Sequence, residues 1–443
     1  MEMYTIHPDD RPVAPSAGNS QSQNALKENA ILVGVRWGGS SAQTVGEHLT
    51  ELRLLTETAG GQVVGEVVQR RVSPDAATFI GKGKAESLMR QADELECHLI
   101  IFDDDLSPSQ QKNLQRVAGN SIKIIDRGGL IIDIFARHAR TREAKTQVEL
   151  AQLQYLLPRL TRQWTHLERQ MGGIGTRGGP GEAQIETDRR LIRSRIKRLK
   201  DELKHIASER ATQSRQRRDT FRVALVGYTN AGKSSLMNAL TNAGVSVEDR
   251  LFATLDTTTR KLQLDENHSI LLSDTVGFIR KLPHHLIASF RSTLAEVAEA
   301  ELLLKVIDAS SHLAEEHLRT VNEVLEDLGL NEKPSVVVLN KLDAIDDGGT
   351  LTRLQRQFPE AVVVSARQRL RLAQLETAIM EACTRDFDRC LLRIPSRQSK
   401  LISTVYQKLE VQERAFEEDK TVLTVWGPKG VIQAIKGKIL EEV

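Results

Sequence analysis

The sequence predicts a multidomain α/β protein, and three observations carry that prediction. Short apolar runs alternate with helical stretches over residues 30–126 and again over 221–385, the rhythm of open sheets covered by helices. Between them lies a stretch of helical periodicity interrupted by a glycine cluster. The second alternating stretch opens with a glycine-rich segment set between an apolar run and a helix start, the context of a phosphate-binding loop. At 443 residues, roughly two to four domains are expected.

Residues 1–28 are rich in Pro, Ser, Asn and Gln and poor in large apolar side chains, so they cannot bury enough surface to offset ordering entropy and are expected to be a disordered tail. Residues 29–136 are expected to form an open α/β domain. Its strands are AILVGV, QVVGEVVQ, HLIIFD and SIKIID, and its helices lie near Val45–Ala59, from about Lys84, and near Ser107–Ala118. The loop Gly81-Lys82-Gly83-Lys84 reads as a helix-entry turn, with a phosphate site as the alternative.

Residues 137–218 are expected to form a helical hairpin. Residues 130–160 contain no Gly and no Pro before Pro158 and read as one long helix leaving the first domain. The cluster Gly172–Gly181 would be the tip, followed by a second helix over about Ala183–Ser214. On that helix Ile192, Ile196, Leu199, Leu203 and Ile206 form one apolar stripe, and Arg189, Arg193, Lys197, Lys200 and Lys204 an adjacent basic arc. Residues 219–388 are expected to form a nucleotide-binding α/β domain, and residues 389–443, read as strand, helix, strand and helix, a small α+β domain.

The chain's formal charge of +2 hides an asymmetry: residues 137–218 hold 20 Lys/Arg against 9 Asp/Glu, a net of +11, in an otherwise acidic protein. That segment suits a phosphate backbone, while 4% aromatic residues argues against a base-stacking platform. A solvated, salt-bridged helix pair is the bland alternative. Three cysteines match neither a zinc knuckle nor a disulfide framework. No apolar run is long enough to span a bilayer and no signal-peptide pattern opens the chain, so a cytoplasmic protein without an integral membrane segment is expected.

Gly227-Tyr228-Thr229-Asn230-Ala231-Gly232-Lys233-Ser234 fits G-x-x-x-x-G-K-[ST] between the strand RVALVG and a helix. Glycines let backbone N–H groups turn onto phosphates, Lys233 can reach the β- and γ-phosphates, and the Ser234 hydroxyl can ligate Mg²⁺. Asp274-Thr275-Val276-Gly277 ends the strand SILLS, where the carboxylate can hold Mg²⁺ through water and the Gly277 N–H can meet a γ-phosphate. Asn340-Lys341-Leu342-Asp343 and Ser365-Ala366-Arg367 follow two further strands. Asp343 can accept from guanine N1–H and N2–H₂, which favours GTP over ATP as substrate. Asn340 and the Lys341 stem would frame the base, and the Ala366 N–H can bond guanine O6. Each motif alone is weak; four in order are not.

With these motifs, residues 219–366 resemble a translation-factor-class GTPase. Arg162–Gln170, the loop GGIGTRGGPGEAQIETDRR and Phe252-Ala253-Thr254-Leu255-Asp256 resemble the HflX family of ribosome-associated GTPases over about residues 30–380. The resemblance implies that residues 252–256 are a mobile switch and that Thr254 completes the Mg²⁺ shell beside Ser234 and Asp274. Lys233, Thr254, Asp274 and Gly277 are the expected catalytic groups. It implies binding to the large ribosomal subunit, with the glycine loop and hairpin on ribosomal RNA, and a role in separating or rescuing stalled ribosomes. A large-subunit assembly GTPase and a non-enzymatic RNA-binding protein are the rival readings. DNA binding is not expected, and the chain is expected to act as a monomer.

Three departures from the family pattern stand out: Arg177-Gly178-Gly179-Pro180-Gly181 carries an extra glycine, Ala183 replaces Thr, and Asp256-Thr257 replaces Asp-Pro. Phe278 stands where Ras-like enzymes have a water-orienting Gln, so slow unassisted hydrolysis is expected, with stimulation by the ribosome. Asn230 resembles the ion ligand of potassium-stimulated GTPases, which adds potassium as a candidate activator.

Overall fold

The computed structural model describes residues 28–39, 41–160, 182–215, 220–241, 251–252, 254–283, 286, 295–345 and 348–441. Residues 1–27 of the tail expected over 1–28, the segment Arg162–Gln170, the glycine cluster 172–181 and Ala253 lie outside the described residues.

Strands β1 (Glu28–Arg36), β2 (Gly61–Arg70), β3 (Leu99–Phe102) and β4 (Lys123–Asp126) form a parallel sheet in the order β2-β1-β3-β4. β1 takes in Glu28, which composition assigned to the tail. Its continuous apolar run is that of a strand covered on both faces. Ala30 and Leu32 join a core with α1 (Ala42–Thr58) and α4 (Arg127–His138). Ile31, Val33 and Val35 join another with α2 (Lys82–Glu94) and α3 (Pro108–Ala118). α3 starts sharply because Ser107 and Gln110 form a reciprocal capping box with Pro108 just inside it.

The single long helix expected over 130–160 is two. α4 ends at His138, Ala139 turns extended with ψ 113°, and α5 (Arg142–Leu156) starts behind Thr141, whose side chain accepts the Ala144 N–H. A short 3₁₀ turn, Leu157–Arg159, follows. Neither Gly nor Pro marks this break. The Asp256 carboxylate, far along the chain, accepts the Arg140 and Thr141 N–H groups at 3.2 and 3.3 Å and the Thr141 hydroxyl at 2.5 Å.

Helix α6 (Glu182–Arg215) packs Ile192 and Leu199 on Leu150 and Leu153 of α5, with Ile196 and Leu203 partly buried alongside. The ion pairs Arg142–Glu202 and Arg195–Glu149 run in opposite chain directions, so the helices are antiparallel. Ile206 is half-buried. Of the basic arc, Arg193, Lys197, Lys200 and Lys204 are exposed and Arg189 is half-buried.

The second sheet has the order β10-β9-β8-β5-β7-β6, with only β6 antiparallel to its neighbour. Its strands are β5 (Arg222–Gly227), β6 (Thr258–Gln263), β7 (Ser269–Asp274), β8 (Leu302–Asp308), β9 (Ser335–Asn340) and β10 (Val362–Val363). Helices α7 (Lys233–Thr241), α8 (Ala295–Glu299), α9 (Ala314–Asp327), α10 (Gly348–Gln357) and α11 (Leu372–Thr384) accompany it.

The C-terminal unit holds β11 (Phe387–Pro395), α12 (Ser399–Lys408), β12 (Glu410–Glu417), β13 (Lys420–Pro428) and α13 (Lys429–Glu441). Its antiparallel order is β11-β13-β12. The sequence pattern missed β12, because EVQERAFE is a largely exposed edge strand without apolar alternation. One apolar cluster runs unbroken from Phe135 and Ile132 of the first domain to Phe252, Phe278 and Ile279 of the P-loop domain.

Candidate functional site

The phosphate loop leaves β5 at Gly227 and enters α7 at Lys233. Gly227 is obligatory, since a Cβ there would lie 2.2 Å from the Val306 carbonyl oxygen. Gly232 has φ +88°, and its Cβ would meet Asn340 Nδ2 at 2.3 Å. Asn230, whose short polar side chain tolerates the left-handed region, has φ 59°.

Lys233 is buried, and its ammonium donates to the Gly227 and Tyr228 carbonyls at 3.3 and 3.0 Å. Burial pulls it down to about 8, against the opposing pull of the Asp274 carboxylate. Asp274 is itself pushed up by burial, against Lys233 and the hydroxyls around it.

The three residues expected to hold Mg²⁺ meet. Ser234 Oγ donates to Asp274 Oδ2 at 2.6 Å and lies 2.7 Å from Thr254 Oγ1. The other carboxylate oxygen, Asp274 Oδ1, is buried with no hydrogen-bond partner among the described residues. An orphaned buried carboxylate oxygen beside two hydroxyls is the hard-oxygen donor set Mg²⁺ takes. Thr275 turns inward instead, its hydroxyl donating to the Leu225 carbonyl at 2.6 Å, and Val276 is buried. Gly277 lies against the loop, where a Cβ would be 2.7 Å from Thr229 Cα.

The base-side loops also converge. Asn340 Nδ2 donates to the Ala231 carbonyl at 2.9 Å and its Oδ1 accepts the Ala366 N–H at 3.0 Å. The asparagine thus clips two loops together, with the Ala366 N–H, expected at guanine O6, bonded to Asn340. Asp343 Oδ1 accepts from Ser365 Oγ at 2.5 Å. Lys341, at φ 64°, pairs with Asp308 at 2.8 Å. Leu342 is half-buried and Arg367 exposed.

Among the described residues of the expected switch, Thr254 alone meets Ser234. The Phe252 N–H donates to Thr229 Oγ1 at 2.8 Å, and its ring is buried against Phe135. Leu255 is core. Asp256, expected at the nucleotide, is held by Arg140 and Thr141 at the start of α5. Phe278 is 2% exposed and its carbonyl accepts the Thr229 N–H at 2.7 Å. At the Gly81 loop, φ is +81° and a Cβ would lie 2.6 Å from the Arg71 guanidinium, as in a helix-entry turn crossed by a side chain.

Sequence reasoning missed an ionic seam between the first domain and the P-loop domain. Arg127 is fully buried and pairs with Glu51 at 2.5 Å and Asp103 at 2.9 Å. Arg280 reaches the same two carboxylates at 2.7 and 3.0 Å. Lys281 pairs with Asp103 at 2.8 Å and Asp104 at 2.5 Å. These cations hold the Asp103 carboxyl far below the usual range against its burial, and they hold Glu51 down as well. The one available signal was the run Asp103-Asp104-Asp105 at a strand end.

Known proteins resemble the chain over all of these parts. Residues 46–136, 138–217 and 222–341 match families described as GTP-binding GTPase N-terminal, GTP-binding GTPase Middle Region and 50S ribosome-binding GTPase. GTPase HflX of Flavobacterium psychrophilum is 53% identical, with 72% of this chain and 76% of that protein covered. GTPase HflX of Escherichia coli K12 is 43% identical, with 85% and 88% covered. A solved GTP-binding protein from Sulfolobus solfataricus in complex with GDP is 26% identical, with 81% of this chain and 99% of that one covered and a TM-score of 0.41. With most of each HflX relative covered at 53% and 43% identity, the chain belongs to the HflX family of GTPases.

Proposed function

We propose that the protein is a GTP-hydrolysing, Mg²⁺-dependent switch that binds the large ribosomal subunit and dissociates or rescues stalled ribosomes. The convergence of Ser234, Thr254 and the orphaned Asp274 Oδ1 carries the switch reading. Ser234, Thr254 and Asp274 would hold a Mg²⁺, which would supply positive charge against the phosphates, and Thr254 would leave the set once GTP is hydrolysed. Lys233 and the Gly277 N–H would serve the γ-phosphate, and the loops at 340–343 and 365–367 the base. Potassium, through Asn230, is a further activator in this reading.

Ribosomal RNA is the partner the basic arc of α6 favours, since its exposed cations occupy one side of a helix whose other side is packed on α5. The family described as 50S ribosome-binding GTPase supports the same partner. We place the units at 29–136, 137–218, 219–388 and 389–443. We take the chain to act as a cytoplasmic monomer; no helix among the described residues is long and apolar enough to cross a membrane.

Sedimentation of intact ribosomes tests this reading. With protein and GTP, subunits should separate. With a non-hydrolysable analogue, protein should stay on the large subunit. Intact ribosomes in both, with protein bound only to immature large subunits, would instead support an assembly factor.

A further inference from the structure

The Glu51 carboxylate of α1 holds two walls of the triphosphate site at once. Its Oε1 accepts the Tyr228 hydroxyl proton at 2.5 Å, and its Oε2 accepts from Arg280 Nε at 2.7 Å and Arg127 Nη2 at 2.5 Å. Tyr228 belongs to the phosphate loop, and Arg280 follows Asp274–Gly277 by three residues. A phenol has one proton. With that proton donated in the hydrogen bond to Glu51, the Tyr228 oxygen accepts the Arg280 backbone N–H at 3.1 Å. The Tyr228 ring is fixed from its face by His317, stacked at 3.9 Å.

The main chains beside these groups are also tied. The Phe278 N–H donates to the Gly227 carbonyl at 3.0 Å, and the Thr229 N–H to the Phe278 carbonyl at 2.7 Å. Residues 278–280 are therefore bonded to residues 227–229 at both ends. The buried Phe278 ring offers no group to orient an attacking water, which leaves the segment's main-chain groups, bonded to the phosphate loop. They cannot shift without displacing the Arg280–Tyr228–Glu51 unit. Within the seam Glu51, Asp103 and Asp104 face Arg127, Arg280 and Lys281. Neutralising Glu51 would leave a buried guanidinium under-compensated and release Arg280.

We propose that Glu51 is a positioning residue for GTP hydrolysis, supplied by the first domain, which fixes segment 278–280 against the phosphate loop through Tyr228 and Arg280. The inference rests on the reading of this site as one that hydrolyses GTP. Glu51→Gln puts an amide donor among three donors, and Tyr228→Phe removes only the hydroxyl.

Steady-state GTP hydrolysis by the full-length chain with large ribosomal subunits, and titration of fluorescent GDP, are compared for wild type and both variants. We expect kcat to fall at least about tenfold for Glu51→Gln, while KM and GDP affinity stay within about twofold. Tyr228→Phe should lower kcat in the same direction, and the double variant should be no slower than the slower single one. Should Glu51→Gln not fold, Tyr228→Phe decides the question by itself. Unchanged kcat in the variants, or a fall matched by an equal loss of GDP affinity, overturns the positioning role alone. A wild type without turnover overturns the hydrolysis reading and the positioning role with it.

Discussion

Phe252 of the proposed switch and Phe135 of α4 meet edge to face, with ring centroids 4.7 Å apart and planes at 81°, both almost wholly excluded from water. The proposed switch is thus anchored in the core of another domain. Phe252 also stands at φ 58°, which a non-glycine residue adopts only where the surroundings hold it. Phe135→Ala should destabilise the protein by about 3–5 kcal/mol and speed hydrogen exchange over residues 251–256. Denaturant unfolding and exchange mass spectrometry read the two effects, and unaltered exchange at the switch would deny the anchoring.

Phe278→Gln is expected not to accelerate hydrolysis. The position is 2% exposed, and an amide placed there without partners costs about 1–3 kcal/mol. Unassisted turnover faster than wild type would show that the side chain can reach a water after all.

Replacing Arg189, Arg193, Lys197, Lys200 and Lys204 with Gln should weaken binding to large subunits. It should also reduce the steepness of the salt dependence by about 0.7–0.9 for each phosphate no longer neutralised. GTP affinity should survive, because the arc lies on α6, outside the P-loop domain. Equal ribosome affinity before and after would make the arc a solvated face.

Asp343→Asn should weaken GTP binding by about 1–3 kcal/mol and shift preference toward xanthosine triphosphate. The amide cannot accept from both N1–H and N2–H₂ of guanine. Competition titrations with both nucleotides measure the exchange.

Lys233 bears on pH. Its ammonium is drawn down to about 8 in the fold from an ordinary 10.5, so between those values the unfolded chain binds the extra proton. Stability of the nucleotide-free protein should therefore rise as pH climbs through this window. Lys233→Met should lack that rise. Parallel slopes in urea unfolding of the two proteins across the window would contradict the burial.

The chemistry of the nucleotide site was legible because each motif is local: glycines at fixed offsets, a lysine and serine at a helix start, acids and amides at strand ends. Ser234 and Asp274 meet as those motifs imply, while Thr254 beside them was implied by the family resemblance alone. Apolar periodicity likewise revealed the parallel strands of both sheets, which must be nearly all apolar to be covered on two faces. The edge strand β12 escaped, since an exposed edge needs no such pattern.

What the sequence by itself determined is most of the elements and the phosphate chemistry, both written in spacings of a few residues. Only the tertiary structure decided how the domains grip one another. The break between α4 and α5 depends on a carboxylate more than a hundred positions away, Asp256 on Arg140 and Thr141. Glu51, Asp103 and Arg280 look like ordinary surface charges when read along the chain. They become a seam because packing removes water from all of them together, and ion pairs at that depth persist only when every partner is present. No local pattern encodes that simultaneity.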